Sequence, residues 1–202
     1  NKDLNASGNV FADASVFEDL SFRTQLGFDY NASQGRNLGY VEKAHAERGK
    51  YKGLSESDWF GLQWTWSNTL EYSNTFADIH NLTILAGTEA VENVSRWRGG
   101  SRNEFFSGNP LYMQLDAGVQ NQTNYGNTSE WALFSLFGRV NYSLAEKYLL
   151  EGVIRRDGSS RFGGENRYGV FPAFSAGWRV SNEPFMAWAD NWLDFLKNLN
   201  ST

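Results

Sequence analysis

The chain has 202 residues, a net charge of −5, 16% aromatic residues, 20 Gly, three Pro and no Cys. This acidic balance disfavours nucleic acid, whose phosphates require an excess of Lys and Arg, and the lack of Cys removes disulfides as a source of rigidity. No stretch approaches the ~18 consecutive apolar residues of a membrane helix, while a mean hydropathy of −0.53 is compatible with a membrane β-barrel, whose strands are apolar only at alternate residues.

Period-2 alternation predicts seven strands. A weak one covers 10–17. The second opposes Leu20, Phe22, Leu26, Phe28 and Tyr30 to Ser21, Arg23, Gln25, Asp29 and Asn31. The third, Phe60 to Phe76, is the clearest: Phe60, Leu62, Trp64, Trp66, Leu70 and Tyr72 face one way, and Gln63, Thr65, Ser67, Thr69, Glu71 and Ser73 the other. A weaker fourth covers 81–90. The fifth, 134–144, sets Phe134, Leu136, Val140 and Tyr142 on one side, and a weak sixth covers 148–155. The seventh begins at Tyr168 and continues to Val180. It contains Pro172, whose missing N–H implies an edge, a bulge or a rim there. After Asn182-Glu183-Pro184, the apolar residues Phe185, Met186, Trp188, Ala189, Trp192, Leu193, Phe195 and Leu196 recur at roughly helical spacing and predict a short helix or turn.

The connections alternate in length. Tight turns fall at Glu18-Asp19, Ala77-Asp78 and Ala145-Glu146, and longer segments at 32–58, 94–130 and 157–167. Bacterial barrels sort their connections in this way, with short periplasmic turns and long external loops. Nothing apolar in the sequence covers the Phe60–Trp66 face, which leaves lipid or the remainder of a larger barrel. The opposite face, with Arg23, Asp29, Glu71, Arg139, Glu151 and Arg155, would look into a wide lumen that a closed seven-stranded barrel could not provide. The expected fold is therefore all-β: antiparallel strands of a large transmembrane barrel, with long extracellular loops and a short C-terminal helical turn. The competing reading is a soluble all-β carbohydrate-binding module, with the greasy face buried against a second sheet.

Catalytic chemistry finds little support. The two histidines, His45 and His80, stand apart, and no phosphate-cradling loop or nucleophile elbow occurs, so the sequence predicts no catalytic residue, metal or cofactor. The loop aromatics Trp97, Tyr112 and Tyr125, with Arg98, are the candidate ligand contacts, since flat rings stack on sugars or peptide side chains and Arg adds polar contacts. Asp157-Gly158-Ser159-Ser160-Arg161-Phe162 is read as a structural turn at the rim. Asp and Ser would cap backbone N–H groups, Gly158 and Gly163 would supply positive φ, and Arg161 would pair with a neighbour.

Several stretches resemble one family: Ala132-Leu-Phe-Ser-Leu-Phe-Gly-Arg-Val-Asn-Tyr142, Lys147-Tyr-Leu-Leu150, Arg155-Arg-Asp-Gly-Ser-Ser-Arg-Phe-Gly163, Asn166-Arg-Tyr-Gly-Val-Phe-Pro172 and Ser175-Ala-Gly-Trp-Arg179. In order and spacing they are similar to the barrel of the SusC/RagA-type TonB-dependent transporters. Trp64-Thr-Trp-Ser-Asn-Thr-Leu-Glu-Tyr72, His80 to Gly87 with Glu89, and Trp192 to Lys197 extend the resemblance. It implies a barrel of about 22 strands with an N-terminal plug, in the outer membrane of a Gram-negative bacterium. It implies energy from TonB, contacted through the N-terminal part missing here, and a SusD-like surface lipoprotein delivering glycan or peptide. On this reading residues 1–197 are a partial barrel embedded in outer-membrane lipid, 198–202 are an unassigned tail, and the plug is absent.

Overall fold

The structure, a computed structural model, describes residues 1–39, 53–164 and 167–189. The strands are β1 (Lys2–Phe17), β2 (Leu20–Gly39), β3 (Gly53–Phe76), β4 (His80–Asn103), β5 (Gln120–Leu144), β6 (Tyr148–Ser159) and β7 (Tyr168–Trp178). They form one sheet in which sequence neighbours are spatial neighbours, β1 to β7. The chain divides into two compact units. The first comprises Asn1–Val10, Gly27–Thr65 and Val91–Ala132, and the second Phe11–Leu26, Trp66–Ala90 and Leu133–Thr202.

All seven expected strands are present, and each tight turn lies where the sequence places it. The first six strands are longer than the alternation suggests, while β7 stops at Trp178, short of Val180. The segments 32–58 and 94–130, read as loops, instead hold the end of β2, the start of β3, the end of β4 and the start of β5. The reason is chemical: Asn121 to Glu130 contains one apolar side chain, Tyr125, so hydropathy cannot show alternation there. Cross-strand polar pairs line this stretch instead, with Ser101 and Thr123 hydroxyls 2.6 Å apart and Arg96 Nε donating to Thr128 Oγ1 at 3.3 Å.

Two turns of the second unit use left-handed residues. Leu144 pairs with Tyr148, and the Lys147 N–H donates to the Leu144 carbonyl at 2.9 Å. Between them Ala145 and Glu146 have φ of 49° and 55°, and Ala77 and Asp78 have 48° and 60°. Two consecutive positive φ values match the twist of a hairpin, although each strains an L-residue by about 1–2 kcal/mol. The two turns are tied together, since the Ala145 N–H donates to the Ile79 carbonyl at 2.6 Å.

Beyond β7 the expected short helical turn is present, as 3-10 structure. The chain bends through two 3-10 segments, Val180–Asn182 and Pro184–Ala189, and Val180 belongs to the first rather than to a strand. Trp192 to Lys197 and the tail 198–202 lie outside the described residues. Glu183 explains the bend. It accepts from Tyr148 Oη at 2.8 Å, Lys147 Nζ at 3.1 Å and Trp178 Nε1 at 3.2 Å. Led by the Tyr148 bond, these donors hold the Glu183 carboxyl below the usual carboxylate range.

One face of the second unit carries exposed Trp66, Leu70, Leu136, Ile154 and Phe174. The register confirms that even-numbered residues share it: Leu136 pairs with Arg156, Gly138 with Ile154, and Gly152 with Phe174. Among the described residues there is no second sheet to bury this face, as a soluble sandwich would require. Pro172 sits opposite Ile154 on β7.

Candidate functional site

The other face of the second unit is polar, and a charged cluster on it pairs internally. The register sets Ser135 opposite Asp157, Phe137 opposite Arg155, and Asn141 opposite Glu151. Arg155 is the hub: Nε donates to Asp157 Oδ1 at 2.7 Å, and Nη2 to Glu89 Oε1 at 3.0 Å and to Ser135 Oγ at 2.9 Å. Its guanidinium also lies 5.6 Å from the Phe137 ring centroid. Ser135 is buried at 3% exposure, and no buried side-chain N or O among the described residues lacks a partner. Of this network only Asp157 is among the candidate site residues, as part of the rim motif. The network's sequence signal was parity: Glu89, Ser135, Arg155 and Asp157 all occupy odd positions of neighbouring strands.

In the first unit the four ligand candidates separate. Trp97, Arg98 and Tyr125 lie on strands, not in a loop, because β4 extends to Asn103 and β5 begins at Gln120. Trp97 and Tyr125 come together, with ring centroids 5.1 Å apart at 40°. Gly99 makes room for them: a Cβ there would meet Tyr125 Oη and the Glu56 carbonyl at 2.5 Å. Arg98 is on the opposite face by alternation, and its Nε stands 3.7 Å from Asp58. Tyr112 is in the 104–119 connection, against Phe106 at 5.9 Å.

That connection is a built structure. Phe105 and Met113 bury themselves with Leu54, and Leu38, Leu115 and Ala117 pack around them. Arg36 Nη2 donates to the Pro110 carbonyl at 3.1 Å and to the Met113 carbonyl at 2.6 Å, while Nε pairs with Glu56 at 3.1 Å. Arg36, Leu38, Leu54, Glu56 and Arg98 share even parity with Phe60 and Leu62. The connection therefore covers the side of the sheet opposite Trp97 and Tyr125.

The rim motif is half strand. Asp157, Gly158 and Ser159 belong to β6, and the turn begins at Ser160. Ser159 Oγ accepts from the Arg161 N–H at 3.3 Å, as a turn cap should. Asp157 instead pairs with Arg155. Gly158 and Gly163 do not have positive φ: no described glycine does. Gly158 is required for space, since a Cβ would stand 2.5 Å from Tyr168 Cε1. Phe162 is exposed at 61%. His80 Nδ1 lies 2.6 Å from the Tyr142 hydroxyl, and His45 is outside the described residues. Among the described residues, no three His, Cys, Asp or Glu side chains are placed to hold a metal.

No family model matches the chain. It is 34% identical over 170 residues to TonB-dependent receptor P39 of Formosa agariphila, covering 83% of this chain and 16% of that protein. It is 45% identical over 71 residues to TonB-dependent receptor SusC of Bacteroides thetaiotaomicron, covering 35% of this chain and 7% of the relative. The solved structure of the RagAB peptide transporter superposes with a TM-score of 0.83 at 25% identity, over 90% of this chain and 20% of that one. The chain thus spans about a fifth or less of the length of these relatives. The two-sided sheet with sorted turns, a superposition over nine-tenths of the chain and shared identity with these receptors make it a stretch of barrel from the SusC type of TonB-dependent receptors.

Proposed function

We propose that this chain is part of the wall of an outer-membrane nutrient importer, energised through TonB, that takes up glycan or peptide with a SusD-like surface lipoprotein. The observation that carries this reading is the two-sided sheet: an apolar face suited to lipid, and a polar face on which Arg155 is paired with Glu89 and Asp157. The relatives named as receptors, and the neighbour named as a peptide transporter, support import over catalysis. Lipid covers the apolar face, and the polar face lines the passage.

Trp97 and Tyr125 are the cargo contacts on this reading. They share the odd-numbered side of β4 and β5, both remain exposed (46% and 39%), and adjacent rings offer a stacking surface for a sugar or an aromatic side chain. Arg98 and Tyr112 do not join them. In the full-length protein, W97A is expected to weaken uptake of the cargo by roughly 3- to 10-fold, from the ~0.5–1.5 kcal/mol that such ring contacts contribute. R98A and Y112A are expected to leave uptake unchanged. Labelled oligosaccharides and peptides, assayed with and without functional TonB, separate the two cargo classes. Uptake untouched by W97A would remove these residues from the passage, and uptake independent of TonB would refute the importer itself.

A further inference from the structure

The apolar face of the second unit is not uniform. A shallow depression of about 600 Å³ crosses it, lined by Phe22, Leu70, Ala86, Leu136, Gly138 and Ile154, with Arg156 at its margin. Small residues make it. Ala86 and Gly138 lie between larger neighbours, and a Cβ on Gly138 would meet only ordinary contacts, 3.7 Å from the Leu85 carbonyl and 3.8 Å from Ile154 Cγ2. Asn68, also in the lining, is satisfied by Thr88 Oγ1 at 3.3 Å, so the floor exposes little unmet polarity.

Arg156 is out of place on this face. The register pairs it with Leu136 and Val170, so alternation directs it toward lipid, unlike Arg155 beside it. A cation facing lipid costs about 2–4 kcal/mol at the bilayer midplane but only ~0–1 near an interface. Position agrees with an interface. Tyr148 and Trp178, stacked with centroids 6.4 Å apart, mark the turn end of β6 as one aromatic margin. Eight residues on, at ~3.3 Å each and ~40° tilt, the strand has risen roughly 20 Å, close to the height of the apolar band. There the Arg156 guanidinium lies 4.2 Å from the Tyr168 ring centroid, which fixes it flat beside the depression. No ion pair among the described residues engages it.

We infer that this depression holds one acyl chain of a phosphate-bearing membrane lipid, with Arg156 binding the lipid's phosphate. Charge complementarity selects this occupant. A planar guanidinium at a bilayer margin matches a phosphate through paired N–H donors, and the adjoining depression is lined mainly by apolar side chains, as an acyl chain requires. The inference rests on the outer-membrane reading above and deepens it.

The test uses the full-length protein that carries this chain, purified in detergent. It is offered dimyristoyl phosphatidic acid or dimyristoyl glycerol, which share their chains and differ in the phosphate, and adducts are counted by native mass spectrometry. The phosphatidic acid adduct is expected to exceed the diacylglycerol adduct by about tenfold, the usual worth of a hydrogen bond to a charged group. R156Q is expected to erase that preference, and G138L, which fills the trough, to reduce both adducts. R139Q, on the polar side, is expected to change neither. Preference retained in R156Q, adducts unchanged in G138L, or displacement by inorganic phosphate alone would each overturn the inference. A protein absent from outer membranes would sink the importer reading and this inference with it. A protein that inserts normally but shows no Arg156-dependent adduct would sink this inference alone.

Discussion

Gly87 carries a packing constraint whose magnitude follows from its surroundings. It sits on the polar side of β4, under the Phe137 ring from β5. A Cβ at this position would stand 2.5 Å from Phe137 Cε2, about 1 Å inside the ordinary ~3.5 Å carbon contact, and 2.9 Å from the Asn68 carbonyl oxygen. The carbonyl is main chain of β3 and cannot retreat without moving the strand. The ring is held by Arg155, itself fixed by Glu89, Asp157 and Ser135. G87A is therefore expected to destabilise by about 1–3 kcal/mol, the usual range for overpacking. The measurement is urea unfolding of the full-length protein in lipid vesicles, followed by tryptophan fluorescence, with a lowered midpoint and an unchanged slope. Adding F137A should recover part of the loss, because the ring clash disappears while the Asn68 carbonyl remains. That coupling should be at least ~0.5 kcal/mol. A G87A midpoint within ~0.5 kcal/mol of wild type, or strict additivity in the double mutant, would refute the description of Phe137 lying on Gly87.

The turns, the bend after β7 and the anchored connection give three further expectations. A145G removes a left-handed strain of ~1–2 kcal/mol and adds ~0.5–1 kcal/mol of glycine entropy, so it should raise stability by about 0.5–1 kcal/mol in the same urea assay; a loss would show that the turn is not left-handed. Glu183 is held below its ordinary 4.5 by Tyr148, Lys147 and Trp178, so its contribution is fully present above pH 4.5 and is lost as pH falls through the lower folded value. Amide exchange in the 178–186 segment should accelerate below that pH in wild type and be fast at every pH in E183Q; identical profiles would exclude the carboxylate as the clasp. R36A deletes both donors to the Pro110 and Met113 carbonyls, and limited proteolysis should cut the 104–119 connection at least about tenfold faster, with unchanged cleavage counting against the anchor.

The apolar face of the fold was legible because its side chains recur at every second residue. Phe60 to Phe76, 134–144 and 168–178 all show it, and the tight turns at Ala77-Asp78 and Ala145-Glu146 stand out by interrupting it. Where strands carry polar side chains on both faces, as in Asn121 to Glu130, hydropathy has no period to offer, and the backbone pairing that extends β4 and β5 leaves no trace in composition. This is why Trp97 and Tyr125 were read as loop residues although their chemistry had already drawn attention. Parity, followed through the longer strands, would have separated Arg98 from Trp97 and gathered Glu89, Ser135, Arg155 and Asp157. The glycines of the rim motif misled for another reason: Gly158 is needed for the space under Tyr168, and sequence alone does not distinguish that need from a left-handed turn.

An arginine facing a transport passage would ordinarily be a trap, since any carboxylate or phosphate moving past would linger on it. Arg155 is held on three sides by its own neighbours, and with Glu89 and Asp157 the cluster sums to a single negative charge. A passing anion gains little by exchanging places with partners already seated. On the importer reading proposed above, the wall at this cluster would be passivated: polar enough to stay wetted, too occupied to grip, with no orphaned charge left behind by whatever moved past it.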